Sequence, residues 1–242
     1  MHNLGRTRSR NQLDHLLHTP DAFVRAPLPG MRNASAIVHA APALGAGFTQ
    51  YTVEMQPGGS FSMGLPMSQA QSFIYMLDGL AEIAGNALSR GQYAWFPPDH
   101  AVRVTAGETA RAAVIEKRHA ALGSVPAPLT GDANLVAPQP LLGDDAVEVR
   151  TLLPDDPAFD CAINTMTFQP GATLPMVEVH VMEHGLLMLE GEGIYRLGDH
   201  WYSVKAGDFI WMAPYCPQWF GALGKVPVRY LIYKDWNRHP LT

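Results

Sequence analysis

EVHVMEHGLLMLEGEGIYRLGDHWYSVKAGDFIWMAPYCPQW, from Glu178 to Trp219, decides how this chain reads. Its apolar residues come in short runs, and in GIYRL and HWYSV they alternate with polar ones. The runs are cut by Leu189-Glu190-Gly191, Gly198-Asp199 and Gly207-Asp208. Segments rich in β-branched and aromatic residues, closed by a turn about every 8 to 12 residues, read as strands. Helical periodicity is almost absent.

Working outward, the same signals occur earlier in the chain. Met76-Leu77-Asp78-Gly79 matches Met188-Leu189-Glu190-Gly191, and RGQYAWFPP (90–98) matches AGDFIWMAP (206–214). GFTQYTVEM (47–55) and CAINTMTF (161–168) are each followed by the same Gln-Pro-Gly turn, at Gln56 and at Gln169. The three matches keep their order, at separations between 112 and 116 residues. The chain is therefore a tandem duplication of a unit of about 90 to 100 residues. The predicted layout is an arm over 1–35, a first barrel over 36–125, a linker over 126–145 and a second barrel over 146–242. Many short strands of this kind close best as a small barrel or jelly roll, which removes exposed edges. Within the arm, Gln12 to Leu17 is expected to form a short helix.

Composition narrows the function. Of 242 residues, 47% are hydrophobic and 16% charged, which suits a globular fold rather than a disordered one. The net charge of -5 argues against a phosphate-backbone binder, and Arg6, Arg8 and Arg10 read as a solvated or subunit-contacting arm. The two cysteines, Cys161 and Cys216, read as buried thiols in a reducing compartment. No apolar run approaches the roughly 18 residues of a membrane span, and the first residues lack the apolar core of a signal peptide. A cytoplasmic location with no nucleic-acid or membrane partner is the expectation.

The chemistry concentrates in the second repeat. In Glu178-Val-His180-Val-Met-Glu-His184, strand alternation sends Glu178 and His180 to one side. A bend brings His184 to the same mouth. Glu, His and His converging in a barrel form a metal-ligand set. By the same alternation Glu183 points away, Met182 and Met188 read as packing, and His200 reads as solvated.

A glycine-rich turn, a ligand-bearing hairpin, a Gly-Asp turn and a late ligand together resemble the two-part motif of cupins. Two copies resemble a bicupin: all-β, with two tandem jelly-roll barrels. The resemblance implies a fourth ligand after the Gly-Asp turn, and Gln218 holds that place, where histidine is commoner. Two oxygen and two imidazole ligands suit Mn²⁺ or Fe²⁺ and leave two positions open to a chelating substrate. One carboxylate against a divalent ion leaves net positive charge, which favours an anionic substrate. In the first repeat the matching positions are Leu65 or Pro66, Met67 or Ser68, Ser72, and Val102 with His100 nearby. One histidine cannot hold a metal, so that repeat is expected to be a structural partner.

The run from Glu178, its Pro217-Gln218 pair, RYLIYKDWNRHPL (229–241) and VRAPLPG (24–30) resemble the (S)-ureidoglycine aminohydrolase family over nearly the whole chain. The resemblance implies a Mn²⁺ hydrolase of allantoin breakdown, with metal ligands Glu178, His180, His184 and Gln218. It implies substrate contacts at Tyr195, Tyr230 and Lys234, a small anionic ureido substrate, and a homo-oligomer. Strand alternation puts Tyr230 and Lys234 on one face and Tyr233 on the other. On this reading Lys234 pairs with the substrate carboxylate, the two tyrosines hydrogen-bond the ureido group, and Glu178 moves a proton. Another metal-dependent cupin, such as a dioxygenase or isomerase, and a non-enzymatic ligand-binding bicupin are the alternatives that the residues leave open.

Overall fold

The computed structural model describes residues 6–64, 69–120 and 122–236. Among them the helical elements are three 3-10 turns, Pro20–Ala22, Pro42–Leu44 and Pro157–Phe159. Each opens on a proline, whose fixed φ suits a first helical position. Everything else that is regular is strand, so the fold is all-β. No helix among the described residues is long and apolar enough to cross a membrane.

Two compact units emerge. One comprises the described residues of 24–136 together with 156–160; the other comprises those of 1–23, 137–155 and 161–242. The first unit is a single nine-stranded sheet. Its Phe48–Met63 strand pairs with Arg32–Ala40 and Ala110–Arg118, and its end, from Ser60, pairs with Val102–Ala106. One strand therefore serves two parts of the sheet, and the bend between them falls on the Gln56-Pro57-Gly58 signal. Gly58 has φ 73°, and a Cβ on Gly59 would lie 2.6 Å from the Asn33 carbonyl oxygen. The predicted turn is thus a bend inside a continuous strand. Val53, Met55, Phe61, Ile74, Val104 and Val114 fill the core of this unit.

The second unit has two sheets. The larger runs Arg10–Asn11, His15–His18, Phe209–Met212, His184–Glu190, Val228–Asp235, Cys161–Phe168, Asp144–Thr151 and Gln139–Leu141. The smaller runs His200–Lys205, Glu192–Leu197 and Gln218–Leu223. Their inner faces share one core. Phe220 stands 4.9 Å from Phe168, 5.3 Å from Tyr195 and 5.8 Å from Tyr230, measured between ring centroids. Such aromatics remove roughly 150 to 250 Å² each from water.

The N-terminal segment departs from expectation. Arg10–Asn11 and His15–His18 form a hairpin, not a helix, and His15–His18 pairs with Phe209–Met212. A helix of one or two turns is marginal alone. The open edge of Phe209–Met212 offers ladder bonds instead, and alternation then buries His15 and Leu17. Arg8 is not a free cation: its guanidinium donates to both oxygens of the buried Asp208, at 2.7 Å each. Cys161 and Cys216 are buried thiols outside any disulfide, as the sequence predicts.

Candidate active site

The segment from Glu178 to His184 is not a regular strand. Glu178 makes a single bridge with Gln218: its N–H donates to the Gln218 carbonyl at 2.8 Å, and its carbonyl accepts from the Gln218 N–H at 2.9 Å. The His180 carbonyl accepts from Tyr215 N–H at 2.8 Å. His184 opens the His184–Glu190 strand. Strand alternation is therefore not what gathers these side chains; three anchoring contacts are.

The gathering itself is tight. His180 Nε2 lies 3.2 Å from His184 Nε2 and 3.2 Å from Gln218 Nε2. Gln218 Nε2 donates to Glu178 Oε2 at 3.4 Å, and that oxygen is 3.8 Å from His180 Nε2. The sequence-predicted quartet thus meets at one point. Glu178 and His180 stay part-exposed, while His184 and Gln218 are buried.

This donor set fits a divalent ion. His184 Nδ1 donates to the Glu183 carbonyl at 2.7 Å, which leaves its Nε2 lone pair facing His180. Burial pushes the His184 imidazole well below its ordinary value, and His180 and Lys234 push it the same way. It is neutral, as a metal ligand must be. His180 Nδ1 is buried without a hydrogen-bond partner. Two imidazole nitrogens on neighbouring positions of one ion stand about 3 Å apart when each bond is about 2.1 Å, close to the observed spacing. As oriented, the Gln218 amide turns its oxygen to Tyr195, whose Oη donates to it at 2.8 Å. A half-turn of the amide exchanges oxygen and nitrogen and presents the oxygen to the other three groups.

The remaining sequence candidates separate into two groups. Tyr195 belongs to the quartet through Gln218, and its hydroxyl is pushed up by burial first and then by Glu178. Tyr230 is buried, and its hydroxyl donates to Met166 Sδ at 3.4 Å. Both hydroxyls are thus engaged within the protein. Lys234 lies opposite His184 in the ladder. Burial lowers its ammonium from its ordinary value, while Glu178 and Asp155 oppose that shift. It makes no hydrogen bond or ion pair among the described residues. It lines a cavity of about 320 Å³ together with Asp155, Asn164 and Met182. Met182, expected as packing, is thus at the cavity wall, whereas Met188 is in the core.

Other groups escaped the sequence reading. Glu183, expected to point away, turns its buried carboxylate to Trp211, whose Nε1 donates to its Oε2 at 3.2 Å. Its carbonyl holds His184, so the residue positions a quartet member. Asp14, His15 and Cys216 bring one potential ligand atom each to within 4.8 Å of one another. Both His15 nitrogens are already engaged, with Asp14 Oδ1 at 2.8 Å and Tyr202 Oη at 2.8 Å. This cluster shares no residue with the quartet. His200, expected in water, is exposed but stacks on Tyr202. In the first unit, Leu65, Pro66, Met67 and Ser68 lie outside the described residues.

Comparison with known proteins points to one family. Residues 164–233 match the family model for the cupin domain. The chain is 43% identical to (S)-ureidoglycine aminohydrolase of Arabidopsis thaliana, over 98% of this chain and 80% of that protein. It is 32% identical to (S)-ureidoglycine aminohydrolase of Escherichia coli (strain K12), over 92% of this chain and 88% of that protein. Among solved structures, a putative glyoxylate-induced protein from Pseudomonas aeruginosa superposes with TM-score 0.86 at 30% identity, covering 98% of this chain and 93% of the other. Oxalate decarboxylase superposes with TM-score 0.70 at 13% identity, covering 95% and 79%, a likeness of fold alone.

Proposed function

The chain belongs to the (S)-ureidoglycine aminohydrolase family, and from that premise we propose that it hydrolyses (S)-ureidoglycine to (S)-ureidoglycolate and ammonia, with Mn²⁺ held by Glu178, His180, His184 and Gln218. The observation that carries the proposal is the convergence of those four side chains beside an ammonium with no partner among the described residues. The reaction belongs to the breakdown of purines through allantoin.

The chemistry is a substitution at one carbon. Its bond to the amine nitrogen breaks, and a bond to a water oxygen forms. When bound, Mn²⁺ would act as a Lewis acid that fixes the substrate and stabilises developing negative charge. The residues supply the rest. Lys234 pairs with His184 across the ladder and is part-buried, which leaves its ammonium available to a substrate carboxylate. Glu178 is the part-exposed carboxylate of the quartet, placed to take a proton from incoming water and return it to the departing amine. With the Gln218 amide turned, the Tyr195 hydroxyl would accept from its nitrogen and hold its oxygen toward the quartet. Tyr230, buried against Phe168 and Phe220 with its hydroxyl on Met166 Sδ, remains the second tyrosine expected to contact the substrate.

Proton NMR of Mn²⁺-loaded protein mixed with freshly generated ureidoglycine tests this reading, with the enantiomers of the ureidoglycolate product resolved. Ureidoglycine decays unaided, so product handedness is the decisive readout. Fast conversion to an excess of the (S) product is expected. Decay at the background rate to racemic product would overturn the aminohydrolase reading and bring the oxygenase and isomerase alternatives forward.

A further inference from the structure

We propose that Asn164 recognises the ureido group of the substrate, an inference that rests on the aminohydrolase reading and adds the residue that sets its substrate class. Asn164 lies on the Cys161–Phe168 strand, where alternation places it on the same face as Met166 and Phe168, two members of the barrel core. Its neighbour across the ladder is Ile232, and Lys234 faces the small Ala162 one step further along that row. Ala162 leaves room there, and the space is the cavity of about 320 Å³ that Asn164 and Lys234 both line.

A polar side chain in a core row is an anomaly, and this one is left unsatisfied. Asn164 is 7% exposed, and its Oδ1 is buried with no hydrogen-bond partner among the described residues. Buried acceptors are nearly always paired, because an unpaired one forfeits its hydration without return. The missing partner belongs to whatever enters the cavity. A carboxamide and a urea are complementary: the amide oxygen accepts from a urea N–H while the amide N–H donates to the urea carbonyl. With Lys234 taking the carboxylate at one end, Asn164 takes the ureido group at the other. The cavity then selects a ureido acid over an N-acyl acid of the same shape.

Two stable ligands isolate that single contact. N-carbamoylglycine and N-acetylglycine share a carboxylate and an amide, and differ only by an NH₂ in place of a CH₃. Their affinities for the Mn²⁺-loaded protein are measured by calorimetry, so no turnover is needed. A site built to pair a donor rejects an analogue that lacks it. Wild-type protein is expected to prefer N-carbamoylglycine by about tenfold or more. Asn164→Leu is expected to bring that ratio close to one, weakening N-acetylglycine only through the shared carbonyl contact and N-carbamoylglycine by more. Asn164→Asp, which keeps acceptor oxygens, is expected to retain the preference while weakening both ligands through its added charge. Should Asn164→Leu fail to fold in a thermal melt, Asn164→Val makes the same comparison.

A wild-type preference that persists in Asn164→Leu, or no preference in wild type, would overturn the proposal. Ureidoglycine turnover by the wild type is followed in parallel. Turnover with an unchanged preference removes the role of Asn164 alone. An Asn164-dependent preference without turnover removes the aminohydrolase reading and keeps the ureido site.

Discussion

The two units carry different chemistry at the same place in the ladder. In one, Ser72 lies opposite Glu116; in the other, His184 lies opposite Lys234. Ser72 and His184 each stand four residues before the matched Met-Leu-acid-Gly turn. Glu116 is tied off by its own unit: Tyr51 Oη donates to it at 3.1 Å, Gly64 N–H at 3.1 Å and Ser72 Oγ at 3.4 Å. At the counterpart, His184 keeps only its Nε2 for the quartet, and the Lys234 ammonium opposite it makes no hydrogen bond among the described residues. A knot of satisfied groups has nothing left to offer a ligand, whereas unsatisfied buried groups imply one. The proposed function thus makes one scaffold a structural element in one copy and a site in the other.

The comparison is broken or sharpened by substitutions on either side. His184→Ala has the largest expected effect, with metal and activity lost together by a factor of about 10³ or more; elemental analysis and turnover measure both. An active, metal-loaded His184→Ala would break the comparison outright. Lys234→Met keeps the metal and lowers turnover by about 10²-fold, since it removes a desolvated charge rather than a ligand. Full activity in that variant would remove the role given to the lysine. Tyr195→Phe deletes the hydroxyl on Gln218, and metal affinity is expected to fall roughly 10- to 100-fold while the fold persists.

On the other side, Glu116→Gln weakens a knot without touching the site. The expected cost is about 1.5 kcal/mol of stability, seen as a lower Tm at unchanged turnover. Acidity makes a further distinction. His15, His18 and His184 are held below the ordinary imidazole value, burial being the largest cause for each. Unfolded, they take up protons near pH 6.5; folded, they resist. The unfolded state then binds more protons, so stability is full above about pH 6.5 and falls as pH drops towards the folded values. Thermal melts of metal-free protein between pH 7.5 and 5.5 check this, and a flat profile would contradict it.

Much of this was legible in the sequence because the signals are local. Turn residues recur at fixed offsets, and Glu and His are conspicuous in a strand-rich, weakly charged chain. That sufficed for an all-β doubled fold and for Glu178, His180 and His184, while Gln218 was reached only through the cupin resemblance. What was not legible depends on partners far away in sequence. His15–His18 becomes a strand only because Phe209–Met212 offers an edge, and Arg8 finds a buried Asp208 some 200 residues on. Gln56-Pro57-Gly58 and Gln169-Pro170-Gly171 read alike, yet one bends a strand and the other follows the end of one. The hydroxyl of Tyr195 turns to Gln218 because the Glu192–Leu197 and Gln218–Leu223 strands pair. Asn164 gives no sequence signal, since its anomaly is an unpaired oxygen visible only in the fold.

The central claim is that the two copies divide into one that binds metal and one that does not. Counting metal tests it most directly: protein is loaded with Mn²⁺, freed of excess, and its manganese determined per chain by elemental analysis alongside the electron paramagnetic resonance signal. The account predicts one ion per chain in the wild type and none in His184→Ala. Two ions per chain, or one that survives His184→Ala, would contradict it.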